Sequence, residues 1–294
     1  MNLLLKTPTR LITDVLAFIL KDQSFCNKLK YRHLKFWKTP NAETIRNIAL
    51  TQDNTIDEWK QYKHWQRLLS NKINSMQFAK MHGCSTPTIY WIGRDVREID
   101  FERLPQQFVI KPSIGHSCQL VFLMNNGLNL LDQYYYTREE LILIMEKALG
   151  LNSKLKFIVQ EFLKSDDGVY RIPLDYKVHT FNGEIARIEV INRVSANTGS
   201  VSVFDKDWKR VENLGWRFQN NEDIQPPKCH KDIINQATVL SRAYEIYVRI
   251  DFYATDKGAV FGEFSPTPGR GVGFSKQADR LLASYWNLYC RGKI

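Results

Sequence analysis

Residues 248–265 read VRIDFYATDKGAVFGEFS. Two runs rich in β-branched and aromatic residues, Val248–Tyr253 and Ala259–Phe264, flank Asp256–Lys257–Gly258, which predicts a hairpin. Side chains alternate along a strand, so Arg249, Asp251 and Tyr253 share one face, as do Phe261 and Glu263 on the returning strand. Pairing Tyr253 with Ala259 puts Arg249 opposite Glu263 and Asp251 opposite Phe261. In that register Asp251 and Glu263 are diagonal neighbours, near enough to share one ion; a slip of one residue separates them. Two carboxylates between apolar neighbours fit either a solvated face with a surface ion pair or an oxygen site for Mg²⁺ completed by phosphate.

Upstream lies a plainer hairpin. Asp175–Phe181 and Glu184–Ile191 flank Asn182–Gly183, the strongest short-range turn signal. Lys177 and His179 point the same way on its first strand. Phe108–Pro112 reads as a strand ending in Lys111 and Pro112, then a loop, Ser113–Ile114–Gly115–His116–Ser117, then a returning strand over Gln119–Met124 and a turn at Asn125–Gly127. An ammonium at a strand end beside loop N–H groups can take phosphate. Phe157–Leu163 is a strand carrying Gln160, Glu161 and Leu163, and Pro87–Ile92 and Val201–Phe204 are shorter ones. A glycine-rich loop, Pro266–Gly273, follows the 248–265 hairpin.

The helical signals lie elsewhere. Thr137 caps a helix over Arg138–Leu149 closed by Gly150; others cover Asp232–Tyr247 and Lys276–Tyr289. Glu58–Met81 carries no Pro or Gly and reads as one or two amphipathic helices, with a break earlier at Thr39–Pro40–Asn41 and Asn41 or Thr44 as cap. Apolar residues from Leu11 to Leu20 recur at helical spacing, and charges at Lys6, Arg10 and Asp14 interrupt any signal peptide or membrane span. Helices first, then strands with antiparallel hairpins, argue for an α+β fold rather than a doubly wound parallel sheet. The division expected is a helical segment over 1–64 and a catalytic region over 65–294.

Composition bounds the chemistry. The 294 residues are 44% hydrophobic and 12% aromatic, enough for a large core. A net charge of +10 favours anionic partners without choosing among them. Five scattered cysteines show no zinc or redox spacing and fit free thiols in a reducing cytoplasm. There is no P-loop, no GxGxxG, no metal-binding histidine pair and no Ser-His-Asp order. Arg193 and Arg270 are anion-binding candidates or ordinary surface. Trp59, Trp65, Lys60, Lys63 and Arg67 offer either stacking and phosphate contacts or the core side of a helix.

Taken together, FVIKPSIGHSCQLVFL, IVQEFL, and VRIDFY followed by AVFGEFSPTPG resemble the strand–lysine–loop–strand, hinge strand and metal hairpin of the ATP-grasp superfamily. DYKVHTFNGEIARIEVINRVS with VSVFDKDWKRV is similar to the TupA-like branch, associated with teichuronopeptide and other surface-polysaccharide synthesis. The resemblance covers roughly residues 65–290. It implies two α+β subdomains gripping ATP between antiparallel sheets. Lys111 and Lys177 would contact phosphates, Gln160, Glu161 and Leu163 would line the adenine pocket, and the Ser113–Gly115–His116–Ser117 loop would close over the phosphates. Asp251 and Glu263, with Ser265 where the family has Asn, would bind Mg²⁺, and Arg249 would stabilise an acyl phosphate. A second departure is the missing loop glycine near Cys118. The activity implied is amide formation between a small-molecule or glycan carboxylate and an amine, an amino acid or amino sugar, through an acyl phosphate. Alternatives are a non-catalytic nucleotide- or polyanion-binding module and a kinase acting on a hydroxyl. Nucleic acid is not an expected partner; peripheral membrane association would come through a glycan precursor.

Overall fold

The structure is a computed structural model and describes residues 24–115, 118–211, 219–220 and 224–294. The helix expected over Leu11–Leu20 lies outside the described residues. Helix α1 (Phe25–Trp37) starts at Ser24, whose Oγ accepts from Asn27 N at 3.1 Å. Short helices α2 (Ala42–Arg46) and α3 (Ile56–Lys60), a 3-10 turn (Trp65–Ser70) and α4 (Lys72–Met81) follow. Glu58–Met81 is therefore broken: His64 takes a left-handed conformation, φ 56°, and divides it. Asn41 stands at the cap position of α2 without a side-chain capping bond.

The first sheet consists of β1 (Ile89–Gly93), β2 (Gln107–Pro112), β3 (Phe122–Asn125), β4 (Leu128–Asn129), β5 (Tyr134–Tyr135) and β6 (Phe157–Glu161), in the order β1-β6-β2-β3-β4-β5. Helix α5 (Arg138–Leu151) covers it, burying Leu141, Met145 and Leu149 against Ile110, Phe122 and Val159. Thr137 and Glu140 cap α5 reciprocally: Thr137 Oγ1 accepts from Glu140 N at 3.2 Å, and Glu140 accepts from Thr137 N at 2.8 Å. Gly150 does not close this helix; it lies inside the last turn, and the helix runs to Leu151 with Asn152 as its cap.

The second sheet consists of β7 (Asp175–Phe181), β8 (Glu184–Arg193), β9 (Gly199–Phe204), β10 (Arg210–Val211), β11 (Gln219–Asn220), β12 (Val248–Thr255) and β13 (Gly258–Ser265). Its order is β10-β9-β8-β7-β12-β13, with β11 parallel to β9. Its two faces differ sharply. Tyr176, Val178, Ile188, Val190, Ile250 and Phe252 pack on α6 (His230–Tyr244), whose Ile233, Ala237, Leu240 and Tyr244 recur at helical spacing. Helix α6 starts two residues before the expected Asp232 and stops at Tyr244, because Glu245 turns left-handed at φ 72° and Tyr247 joins the approach to β12. Helix α7 spans Lys276–Tyr289 as expected, capped by Ser275.

The helices before residue 70 share this second core. Phe25, Leu29, Trp59, Trp65 and Leu68 belong to one buried cluster with β7, β12 and α7. Trp59 and Trp65 are thus core residues and present no stacking surface. Two contacts tie the tip of the β12–β13 hairpin to the β6–β7 connection: an ion pair between Lys257 and Glu161, and a backbone bridge between Ser165 and Thr255. Among the described residues no helix is long and apolar enough to cross a membrane.

Candidate functional site

The β12–β13 ladder departs from the register that strict alternation predicts. Arg249 pairs with Ser265, Asp251 with Glu263, and Phe252 with Phe261, so Gly262 is an extra residue in β13. The bulge reverses the facing of everything between it and the turn. Phe261 therefore joins Phe264 in the core, ring centroids 4.8 Å apart, while Glu263 stands on the opposite face. Asp251 and Glu263 become direct neighbours, closer than the diagonal pair expected. Glycine suits the position: a Cβ on Gly262 would come 2.9 Å from Asp251 O and 3.1 Å from the Tyr253 ring.

The face that does not pack on α6 is polar. Ladder pairing aligns Asp251 with Lys177 and Arg249 with His179 across β12 and β7, and Lys177 with Glu189 and His179 with Arg187 across β7 and β8. Asp251 is 2% exposed and holds two cations. Its Oδ1 accepts from Arg249 Nε at 2.7 Å, and its Oδ2 accepts from Arg249 Nη2 at 2.9 Å and from Lys177 Nζ at 2.5 Å. Burial alone would raise its pKa; Arg249 and Lys177 overcome that and hold the carboxyl below the usual range. Arg249 also donates to Ser265 Oγ at 2.9 Å.

Asp175, which sequence reasoning did not single out, extends this network. Its Oδ2 lies 2.5 Å from Lys177 Nζ and 3.8 Å from Arg193 Nη2, and its buried Oδ1 has no hydrogen-bond partner. Burial, with the charge of Asp251 adding, pushes its pKa up. A carboxylate oxygen left unpartnered in a buried place is costly and marks a site that a ligand donor can complete.

The first sheet contributes Lys111 at the end of β2. Lys111 makes no ion pair among the described residues. Burial, with Lys72 nearby adding and Glu263 opposing, brings its ammonium down from the ordinary 10.5 to about 7. Lys72, the first residue of α4, was missed in the sequence. Its Nζ lies 3.3 Å from Glu263 Oε2 and donates to Gly115 O at 3.3 Å, so it joins the β12–β13 hairpin to the loop after β2. Ser113 is engaged in holding that loop: its Oγ accepts from Lys156 N at 3.1 Å and its carbonyl from Lys72 N at 2.8 Å. His116 and Ser117 lie outside the described residues. Cys118 and Leu120 both take φ 57°, the left-handed conformation that glycine adopts without cost. Cys118 lies where the resemblance leads to the expectation of a loop glycine.

Near the end of β6, Gln160 is 4% exposed and its Oε1 has no partner. The Glu161 carboxylate accepts from Thr88 N at 3.1 Å and pairs with Lys257. Burial opposes its ionisation, but those donors keep its pKa below the usual value. Leu163 is buried just past the strand end.

A further buried group sits beside Lys177; of its members the sequence singled out His179 and missed Arg187, Glu189 and Tyr247. His179 Nε2 lies 3.4 Å from Glu189 Oε1, Arg187 pairs with Glu189, and Tyr247 Oη is 3.1 Å from His179 Nδ1. Burial, outweighing Glu189, lowers the His179 pKa to about 4, so the ring is neutral. Phe274 covers the group, with the Arg187 guanidinium 5.6 Å from its ring centroid.

The donor set suits Mg²⁺ of the kind that keeps substrate oxygens in its shell. Asp251 and Glu263 supply opposed carboxylates, and the Ser265 hydroxyl stands beside them. Among the described residues no three His, Cys, Asp or Glu side chains converge into an all-protein cage. Lys72, Lys111, Lys177, Arg193 and Arg249 outnumber Asp175, Asp251 and Glu263 by two charges, which matches an anion such as a metal-bound triphosphate.

A family model described as TupA-like ATPgrasp matches residues 53–287. Among solved structures, D-alanine–D-alanine ligase from Bacillus anthracis complexed with ATP is 15% identical, covering 76% of this chain and 65% of that one with a TM-score of 0.47. The D-alanine–D-alanine ligase from Helicobacter pylori is 15% identical over 74% of this chain and 61% of that one, TM-score 0.43. The L-amino acid ligase from Bacillus licheniformis is 14% identical over 74% and 48%, TM-score 0.44. This chain therefore spans less than two thirds of the length of these ligases. No curated protein matches it. The family match takes in both sheets and every residue of the polar site just described, and on that ground the chain belongs to the TupA-like ATP-grasp family, with its α+β fold of two antiparallel sheets.

Proposed function

We propose that the protein is an ATP-dependent carboxylate–amine ligase that forms an amide through an acyl phosphate. The observation that carries this reading is the opposed Asp251–Glu263 pair set among Arg249, Lys177, Lys72 and Lys111. In it, Lys111, Lys72 and Lys177 hold phosphate oxygens, while Gln160 and the Glu161–Leu163 backbone line the adenine pocket. Asp251 and Glu263 hold Mg²⁺, with Ser265 reaching it directly or through water. Bound there, the metal neutralises phosphate charge. The Ser113–Ser117 loop closes the phosphate end.

A substrate carboxylate oxygen bonds to the terminal phosphorus while the bridging P–O bond breaks and ADP leaves. The amine nitrogen then adds to the acyl carbon, the C–O bond to phosphate breaks, and the nitrogen gives up a proton. Arg249, fixed by two bonds to Asp251, is placed to stabilise negative charge on the acyl oxygen and phosphate. Such chemistry is mainly positioning and charge stabilisation, which is what a rigid sheet face of paired ions provides.

The finer reading follows from the family: modification of a surface polysaccharide or its precursor with an amino acid. Either a glycan uronic acid is activated and joined to an amino acid, or an amino acid is activated and joined to an amino sugar. Five free thiols fit a cytoplasmic enzyme, which would meet membranes through a lipid-linked precursor. The test is ADP release from MgATP with pooled amino acids and uronic-acid glycans, with hydroxylamine as trap. Carboxylate-dependent ADP and hydroxamate, lost in Asp251→Asn and Glu263→Gln, are expected. ADP formation with a phosphate ester and no hydroxamate would make the protein a kinase.

A further inference from the structure

The polar face of the second sheet continues past Arg249 and Asp251 onto β8. Ser265, Arg249, His179 and Arg187 form one row across β13, β12, β7 and β8. Glu263, Asp251, Lys177 and Glu189 form the next. Neighbouring strands lie about 4.8 Å apart, so Arg187 and Glu189 stand about 10 Å from Arg249 and Asp251. The ligase reading uses the β12–β13 side of these rows and gives the β8 side no role.

That side is buried yet incompletely bonded. Arg187 is 1% exposed and pairs with Glu189 through Nη2, while its Nε and Nη1 have no partner. His179 Nε2 also makes no hydrogen bond, although Glu189 Oε1 lies 3.4 Å away. Glu189 Oε2 makes no bond among the described residues, and the side chain is 19% exposed, so the group meets solvent there. Among the described residues only Arg187 leaves two buried side-chain atoms unpartnered. Donors stranded in a buried place are costly, and a ligand that accepts from them removes the cost.

Phe274 lies over the group. Its ring centroid is 5.6 Å from the Arg187 guanidinium and 6.2 Å from the His179 ring, which it meets edge to face. Phe274 is half-buried and also meets Phe25 of α1 at 5.2 Å, so a helix outside the family match props this cover.

Charge and distance narrow the occupant. The two rows hold three cations, Arg187, Lys177 and Arg249, and three carboxylates, Glu189, Asp251 and Glu263; each of the cations touches a carboxylate. A charged ligand group set over β8 would upset that balance in a buried place. A hydroxyl would not, because it accepts from Arg187 or His179 and donates to Glu189. The α-amino and α-carboxyl groups of an amino acid share one carbon, so with one at Arg249 the other falls far short of the about 10 Å to Glu189. A sugar ring attached to the reacting group spans that distance and carries several hydroxyls. Its C–H face suits the electron-rich face of Phe274.

We propose that His179, Arg187 and Glu189 bind the hydroxyls of a sugar ring in the substrate, with Phe274 against the C–H face of that ring. The ring enters from the open Glu189 side and moves Phe274 off Arg187. These residues set specificity and take no part in the chemical steps. That the ring belongs to the substrate rests on the ligase reading above.

The experiment is saturation-transfer NMR on the full-length protein loaded with MgADP. The probes are methyl pyranosides of glucose, galactose and mannose, their 2-acetamido forms, and alanine, glutamate and lysine. At least one pyranoside is expected to bind, with affinity reduced about tenfold in Glu189→Gln and in Arg187→Met. The pyranoside lacking the bonded hydroxyl should bind the wild type about tenfold more weakly than its parent does. Glu189→Gln should bind the two equally, a coupling that a merely structural residue does not produce. Phe274→Leu keeps an apolar cover without the ring and should weaken binding about threefold; it replaces Arg187→Met if thermal melting shows that variant unfolded. No pyranoside binding, or binding equal in wild type and all variants, overturns the proposal. Binding of an amino acid alone, lost in Glu189→Gln, also overturns it and makes the group a reader of amino-acid side chains. Failure of MgADP to load counts against the ligase reading only; pyranosides titrated into the unloaded protein and the same variants then decide the sugar site.

Discussion

Asp251 stands directly opposite Glu263 because Gly262 bulges out of the ladder between them and the turn. The same bulge sends Phe261 into the core. One backbone irregularity therefore sets both the opposition of the two carboxylates and the packing of Phe261. Gly262→Ala would force its Cβ against Asp251 O and is expected to cost about 1–3 kcal/mol of stability, as overpacking does. It should also weaken MgADP binding, because the two carboxylates would separate. Denaturant unfolding and nucleotide titration on the same preparation check both effects; normal MgADP affinity in a destabilised variant would uncouple the bulge from the metal.

The two carboxylates differ in what else they hold. Asp251 balances Lys177 and Arg249, whereas the Glu263 side chain is 36% exposed and, among the described residues, pairs with Lys72 alone. Asp251→Asn is expected to lose activity at least about 100-fold and to lose about 3 kcal/mol of stability by stranding Arg249 and Lys177. Glu263→Gln is expected to lose activity to a similar extent with little change in unfolding. Parallel steady-state assays and thermal melts distinguish the two patterns.

Lys72 sits where a divalent ion would compete for Glu263. Lys72→Met should raise Mn²⁺ affinity of the nucleotide-free protein several-fold, by removing an internal cation, while weakening ATP several-fold by removing a phosphate contact. Mn²⁺ paramagnetic titration with and without nucleotide reads both. A fall in both affinities would mean that Lys72 acts only through the fold.

Lys111 gives a pH signature. Its pKa near 7 lies below the unfolded value near 10.5. Phosphate favours the protonated form, so nucleotide affinity should fall as pH rises above 7, approaching about tenfold per unit while the bound form stays protonated. The unfolded chain keeps a proton that the folded one has released between about 7 and 10.5, so this residue makes stability rise with pH across that window. Lys111→Met should flatten both trends; calorimetry at pH 6.5, 7.5 and 8.5 measures the first and urea unfolding the second.

His179 works at lower pH. The folded ring stays neutral down to about 4, whereas the unfolded ring takes a proton near 6.5. Stability should therefore fall as pH drops from about 6.5 to about 4, by about 3 kcal/mol in all. His179→Gln should remove most of that slope. Urea midpoints at pH 7 and 4.5 for both proteins decide it.

Much of the fold is legible locally. Asn182–Gly183 marks its turn because both residues take positive φ, 53° and 102°. Lys276–Tyr289 is bounded by a serine cap and a clear apolar stripe. The core side of β7 and β12 follows from alternation. What sequence conceals is whatever depends on another segment. A glycine inside a strand does not say whether it bulges, so strict alternation puts Phe261 beside Glu263. Gly150 resembles a helix stop, but α5 carries through it for one more residue. Lys72 looks like any lysine at a helix start until the fold brings it to Glu263 and Gly115. Asp175 and Arg187 read as ordinary polar strand positions, and only burial reveals their unpartnered atoms.

The ties at Glu161–Lys257 and Ser165–Thr255 lie at the tip of the β12–β13 hairpin, beside the end of β6 proposed to hold adenine. Lys111 and Lys72 lie at the far end, where the Lys72 bonds to Glu263 and Gly115 would have to break for the sheets to part. A body rotating about a fastened edge sweeps an arc that lengthens with distance from it. Any gaping of the two sheets that keeps those ties would move the phosphate end most and the base end least. The molecule would then open like a book held at its spine: the base-binding edge would stay nearly constant in width, and the reacting groups would alternately meet and part.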